Sequence, residues 1–356
     1  MISLGEFSFS CMLSSYSIDE LSNPLREIFA ISRGETSAVT TIKVTLTTQN
    51  ADYGLIQGRG ECRPYARFSE NSETTTQKIH EFLQAYQGKI LSKSSVQSMP
   101  ASPARNAIDC ALWDLHAKTV GTRVHQLLSD MPDTTINSSM ETFHTIGLKS
   151  PHAVGQEARS MLEQGIKTIK LKLGEKRNLA GDIERITQCR AAAPDSKIII
   201  DVNEGWLSEE LVQMLPICKA MNIALIEQPL SQESENFLRT YKDKTPVPIY
   251  ADESIRTRLD LPLISKFYQG INIKLDKTGG LTEALLLAKA AHQADLSIMV
   301  GCMVAGSLAI APAYFLASYV ADIVDLDGAC FLSSDCESQS IYNAGKIYMP
   351  DAKLWG

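Results

Sequence analysis

The sequence predicts an α/β protein: a (β/α)8-type barrel, in the modified (β/α)7β form, with an N-terminal α+β capping domain that the C-terminal segment completes. Three observations lead there. Five polar clusters each close a short apolar run: Lys170-Leu-Lys172, Asp201-Val-Asn203, Glu227-Gln-Pro, Asp252-Glu253-Ser and Lys274-Leu-Asp-Lys277. The steps from Lys172 to Asp201, Glu227, Asp252 and Lys274 are 29, 26, 25 and 22 residues, about the length of one strand, one helix and two short loops. From Thr135 onward, strand-like and helix-like patterns alternate, whereas the chain before it reads as strands followed by helices. Polar side chains from several consecutive strand ends are what the C-terminal mouth of a parallel barrel presents.

Taken in order, residues 1–16 are Ser-rich and weakly patterned and read as a frayed tail. Leu25 to Glu35 reads as an apolar strand ending in a Gly34 turn that exposes Arg33, and Val39 to Thr48 as its β-branched partner. Gly58 to Tyr65 is a third strand end and loop. Ser72–Lys89 and Ser102–Lys118 have helical periodicity, the second with Ala107, Ala111, Leu112 and Leu115 on one stripe. Barrel strands are expected near 137–148, 167–173, 197–203, 223–228, 247–252, 270–275, 297–302 and 321–326, each followed by a helix except the last. The expected domains are residues 1–134, 135–327 and 328–356.

The net charge of −7 and the absence of a basic stripe exclude nucleic acid and anionic membranes as natural partners. No run of 18 apolar residues is present, and the N-terminus lacks the basic start of a secretory signal. Eight scattered cysteines without a close-spaced pair suit reduced thiols of a cytoplasmic protein.

Asp201, Glu227 and Asp252 end three adjacent strands, so their carboxylates converge. Unpaired in a low-dielectric mouth they would repel, and a hard divalent cation such as Mg²⁺, which takes oxygen ligands, resolves this. Lys170 and Lys172 are two apart and share a strand face. Two neighbouring ammonium groups beside a metal should have lowered pKa values and supply a base near neutral pH. Lys274 lies four strands further round and faces Lys172 across the barrel, which suits removal of a proton from one face and its return on the other. Lys277 reads as a solvated lysine at a strand end. Asn203 would orient a metal ligand; Glu253 would do the same or pair with Lys274. Asp325 and Asp327 have no obvious basic partner, and either bind a cationic substrate group or cap the turn at Gly328. Thr145 is a pocket hydroxyl or only a strand former. Trp206, Met303 and the cysteines read as core or wall.

These motifs, with Lys274-Leu-Asp-Lys-Thr-Gly-Gly280, resemble the enolase superfamily, muconate-lactonizing subgroup. Asp325-Leu-Asp327-Gly resembles its dipeptide-epimerase branch. Ile31-Ser-Arg33-Gly, Gly60-Glu-Cys-Arg-Pro-Tyr65 and Ala107-Ile-Asp-Cys-Ala-Leu-Trp resemble the L-Ala-D/L-Glu epimerases within it. The resemblance covers residues 24–350 and retains every catalytic position. It implies one Mg²⁺ on Asp201, Glu227 and Asp252, acid/base catalysis by Lys172 and Lys274, and tuning of Lys172 by Lys170. It further implies that Asp325 and Asp327 hold the α-ammonium of a dipeptide, that Thr145 lines the pocket, and that Arg33 meets the side-chain carboxylate of a C-terminal Glu. Loops near 30–36 and 63–69 would close the site, and the role would be cytoplasmic recycling of cell-wall peptides. Barrels of this kind often form homo-oligomers; the sequence leaves that state open. The competing expectations are N-acylamino acid racemase, o-succinylbenzoate synthase or cycloisomerase activity, whose substrates lack a free ammonium, and a non-catalytic barrel used as a scaffold. Acid-sugar dehydration is disfavoured because those relatives usually replace a lysine base with His, which is not found at position 274.

Overall fold

The computed structural model describes residues 8–51, 53–128, 136–176 and 178–356. Residues 1–7 and the expected domain boundary at 134/135 lie outside the described residues. β1 (Ser15–Ile31), β2 (Gly34–Asn50) and β3 (Gly54–Cys62) form an antiparallel sheet in the order β1-β2-β3. On β2, Ile42, Val44 and Leu46 are two apart, share one face and are fully buried. β1 begins ten residues before the expected strand at Leu25. It tolerates Pro24 because it is an edge strand with a register shift between Pro24 and Phe29. The expected frayed tail is corrected from residue 8 on: Ser10–Met12 pairs with Ile90–Ser92, Leu13 is fully buried, and Phe9 packs edge-on against Trp113 at 4.6 Å. Apolar burial outweighs the weak pattern of this segment.

α1 (Ser72–Tyr86) and α2 (Pro103–Thr119) cover this sheet. Asn71 and Ser102 cap them through side-chain oxygens, and Pro103 occupies the first helical turn. α2 is buried on nearly every face rather than along one stripe, because it lies between β3 and the barrel: Trp113 donates to Thr282 Oγ1 at 2.9 Å, and Arg105 to the carbonyl of Gly279 at 2.9 Å. The close approach of β3 needs glycine for its missing Cβ, since a Cβ at Gly60 would stand 2.2 Å from the Ala107 carbonyl oxygen and 2.7 Å from the Ala111 nitrogen. Gly60→Ala should therefore destabilise the protein by about 2–3 kcal/mol. A denaturant midpoint equal to wild type would show that sheet and helix can part without cost.

The barrel strands are β4 (His144–Ile146), β5 (Thr168–Lys172), β6 (Lys197–Asp201), β7 (Ile223–Glu227), β8 (Ile249–Ala251), β9 (Gly270–Ile273), β10 (Ser297–Gly301) and β11 (Ile323–Asp325). They pair in parallel in sequence order, and Phe143 N–H donating to the Val324 carbonyl at 2.9 Å ties the first strand to the last. The outer helices are α3 (Pro151–Glu163), α4 (Leu179–Ala192), α5 (Ser208–Ala220), α6 (Leu281–Gln293) and α7 (Ser307–Val320). Two expected helices are reduced: a 3-10 segment, Glu235–Tyr241, follows β7, and a single turn, Leu261–Ile264, follows β8. The span expected as one strand at 137–148 is two. Ser139–Glu141 pairs with Lys346–Tyr348, and only His144–Ile146 joins the barrel. The chain then returns to the first sheet's helices, where Trp355 donates to the Cys110 carbonyl and Gly356 N–H to Asp114. Among the described residues no helix is long and apolar enough to cross a membrane.

Candidate active site

Parallel strands in register carry the polar clusters to one mouth. Lys172 is paired with Asp201, and Asp201 with Glu227, across β5, β6 and β7. Oxygens of Asp201, Glu227 and Asp252 all lie within 4.8 Å of one another, and all three residues are buried. Burial and the neighbouring Asp201 push Glu227 up to about 7. Burial also opposes ionisation of Asp201 and Asp252, but lysines overcome it and hold both below the usual carboxylate range. Three buried oxygen donors that raise one another's charging cost fit a hard divalent cation such as Mg²⁺.

The lysines surround this triad. Lys172 Nζ donates to Asp201 Oδ2 at 2.5 Å and to Asn203 Oδ1 at 3.1 Å. Lys274 Nζ donates to Asp252 Oδ2 at 2.7 Å from the strand four places further round. Lys170 Nζ lies 3.1 Å from Asp201, 2.6 Å from Glu227 and 2.7 Å from Asp325. Its approach to Glu227 Oε2 is an ion contact without a well-directed hydrogen bond. The lowered pKa expected for Lys170 is corrected: burial works against its charged form, but the adjacent carboxylates Asp325, Glu227 and Asp201 outweigh it and raise it, and Asp252 does the same for Lys274.

Lys277 is corrected too. It is buried, donates to Asp252 Oδ1 at 2.5 Å and to the Asn272 carbonyl at 3.0 Å, and burial lowers its pKa. Sequence reasoning missed Asn272, whose Nδ2 donates to Glu227 Oε1 at 2.7 Å. The available signal was an Asn inside an Ile-Asn-Ile strand, two residues before Lys274 and thus on its face.

Asn203 joins the triad to its surroundings: its N–H donates to Asp201 Oδ1 at 3.1 Å and its Nδ2 to Glu253 Oε1 at 3.2 Å. Of the two expectations for Glu253, pairing with Lys274 is not met. It pairs with Arg33, 2.7 Å away. Arg33 also donates to the Asn203 carbonyl and to the Tyr65 hydroxyl, so the capping sheet's hairpin sits directly over the mouth. Arg67 grips Glu204 with two hydrogen bonds, 2.7 and 2.8 Å. Asn203 and Glu204 both hold left-handed backbone, φ 47° and 66°, a strained pair braced by these contacts.

On the far side, Asp325 has the basic partner the sequence did not show, Lys170, while its Oδ1 has no hydrogen-bond partner among the described residues. Asp327 Oδ2 accepts the Thr145 N–H at 2.7 Å; burial and the nearby Asp325 push Asp327 up to about 7. A cavity of about 440 Å³ joins these groups, lined among others by Arg33, Lys172, Lys274, Thr145, Asp325 and Asp327. Arg33 and Tyr65 wall it from the capping side.

Residues 153–352 match the model of the enolase C-terminal domain-like family, and residues 20–129 that of the mandelate racemase/muconate lactonizing enzyme N-terminal domain. An N-acetyl-D-glutamate racemase from Pseudoalteromonas is 38% identical over 84% of this chain and 91% of its own. An L-Ala-D/L-Glu epimerase from Escherichia coli K12 is 35% identical, over 92% and 97%. A dipeptide epimerase from Enterococcus faecalis, solved with Mg and L-Leu-L-Tyr, superposes with a TM-score of 0.87 at 25% identity, covering 96% of this chain and 99% of that one. With both family models matched along most of its length and a barrel mouth built from lysines and carboxylates, the chain belongs to the mandelate racemase/muconate lactonizing branch of the enolase superfamily and is an isomerase.

Proposed function

We propose that this enzyme is a Mg²⁺-dependent dipeptide epimerase that inverts the α-carbon of the C-terminal residue, with L-Ala-D/L-Glu as its reference substrate. One observation carries the reading: Lys172 and Lys274 approach a convergent carboxylate triad from opposite sides of one cavity, with a second carboxylate pair, Asp325 and Asp327, across it. Asp201, Glu227 and Asp252 would hold the ion, which when bound supplies Lewis-acid stabilisation of charge on the substrate carboxylate. One lysine Nζ takes the α-proton from one face, and the other, protonated, returns a proton to the opposite face. Lys170 neutralises carboxylate charge beside Lys172. Asn203 and Glu253 brace Asp201 and Arg33. Asp325, Asp327 and Thr145 form the end that receives the α-ammonium, and Arg33 is the group for an acidic C-terminal side chain. The lid contacts of Arg33 and Tyr65 exclude water. Eight free cysteines fit a reducing cytoplasmic setting.

Proton NMR of L-Ala-L-Glu in D₂O with Mg²⁺ tests this. The Glu α-proton signal should vanish while peaks of the second diastereomer grow. Exchange without the new diastereomer would mean that only one lysine works. Asp325→Asn and Asp327→Asn should each cut kcat/KM for dipeptides by about 10²-fold, since each removes a buried counter-charge, with a much smaller effect on Mg²⁺ affinity measured by calorimetry. Equal loss of both quantities would count against the ammonium-anchor role.

A second reading, racemisation of an N-acyl amino acid, is favoured by Lys170, which already compensates Asp325, and by the 38% identical N-acetyl-D-glutamate racemase. N-acetylglutamate in the same NMR assay separates the two: exchange there but not with L-Ala-L-Glu would select it.

A further inference from the structure

Three arginines reach the cavity from the capping unit, and they differ in what they hold. Arg33 and Arg67 are engaged by Glu253 and Glu204. Arg63, just past β3, is not paired in this way. Its Nη1 donates to the Val304 carbonyl at 3.0 Å, and its backbone N–H to Asp276 Oδ1 at 3.1 Å. The Asp276 carboxylate acts on the guanidinium through space but forms no ion pair with it, and accepts from Asn106 Nδ2 as well. A guanidinium has five N–H donors, so most of those on Arg63 have no protein acceptor among the described residues while the side chain lines the cavity.

Position gives this cation a direction. Arg33 stands over the loops that follow β6 and β8, through Asn203 and Glu253. Arg63 stands over the loop that follows β10, through Val304. That loop adjoins the end of β11: Cys302 Sγ contacts the Asp325 carbonyl oxygen at 3.5 Å, and Gly328 packs on the Met303 carbonyl. Through this loop Arg63 is placed beside the strand end that carries Asp325 and Asp327.

We propose that Arg63 is a specificity-determining residue that takes a carboxylate carried on the amino-terminal half of the substrate. The inference rests on the dipeptide reading of the site. An amino-terminal Asp or Glu presents both charges this side of the cavity can hold, its ammonium to Asp325 and Asp327 and its side-chain carboxylate to Arg63. A planar guanidinium with several open donors suits a carboxylate better than a point charge does.

The test compares L-Glu-L-Glu with its neutral isostere L-Gln-L-Glu on the Mg²⁺-loaded wild type, Arg63→Met and Arg63→Lys, by NMR turnover and by calorimetric binding. The wild type should favour L-Glu-L-Glu by about 10-fold or more, the scale of one charge-assisted pair. Arg63→Met should erase that preference, and Arg63→Lys, which keeps the charge and guards against a folding artefact, should retain part of it. A wild type that does not discriminate, or an Arg63→Met that discriminates as well as wild type, overturns the proposal. The two readings fail separately. Turnover of both dipeptides without charge preference keeps the epimerase and discards the Arg63 role. Charge-selective binding lost in Arg63→Met, without α-proton exchange, keeps the Arg63 subsite and discards the epimerase. Neither binding nor turnover discards both. A preference for N-succinyl- over N-acetyl-L-glutamate, also lost in Arg63→Met, would support the subsite with its carboxylate carried on an acyl group.

Discussion

Lys274→Ala is expected to lower epimerisation of L-Ala-L-Glu by at least about 10³-fold, within the range that a positioned acid/base group contributes. Two other lysines beside the triad are already engaged. Lys277 is held by Asp252 and the Asn272 carbonyl, and Lys170 is enclosed by Asp201, Glu227 and Asp325. Lys172→Ala should be equally inactive as an epimerase, but the two variants should differ in one respect. With a lysine on each face, each variant should still exchange the α-proton of one stereoisomer with D₂O, and the two should choose opposite ones. The measurement is α-proton loss from L-Ala-L-Glu and from L-Ala-D-Glu, followed separately. A variant that epimerises at the wild-type rate would remove that lysine from the mechanism. Loss of exchange from both stereoisomers in both variants would point to a different base.

Asp252→Asn should have the largest combined effect on activity and stability. Asp252 accepts from Lys274 at 2.7 Å and from Lys277 at 2.5 Å, and all three residues are buried. Removing its charge leaves two buried ammonium groups without their main counter-charge, at a cost of about 3–5 kcal/mol. The melting temperature should fall and turnover should vanish. Mg²⁺ should raise the melting temperature of the wild type, and EDTA should reverse this, because a ligand bound only by the folded state stabilises it. The same ion should leave Asp252→Asn unmoved. A Mg²⁺ shift of wild-type size in Asp252→Asn would exclude Asp252 as a ligand, whatever its effect on stability.

The strand ends were legible because a parallel barrel turns spacing into geometry. Clusters 22 to 29 residues apart on consecutive strands must meet at one mouth, and residues two apart must share a face. Asp201, Glu227 and Asp252 therefore converge as the sequence implies. The short turns after β7 and β8 were less legible. Helix existence was inferred there from the repeat length, and a 3-10 segment with a single helical turn spans the same distance. The N-terminal strand at Ser10–Met12 was hidden because its stability comes from pairing with Ile90–Ser92, roughly 80 residues later in the chain.

By itself the sequence determined the barrel, the order of its polar clusters and the convergence of Asp201, Glu227 and Asp252, since these follow from local period and spacing. Only the tertiary structure decided the partners: Lys277 buried on Asp252 rather than solvated, Glu253 on Arg33 rather than Lys274, Asp325 compensated by Lys170, and Asn272 on Glu227. Ion pairing falls off over a few ångströms and joins residues up to 220 positions apart, as in Arg33 and Glu253. Local pattern holds no record of such distances; they arise when the sheet closes and the capping hairpin comes down on it.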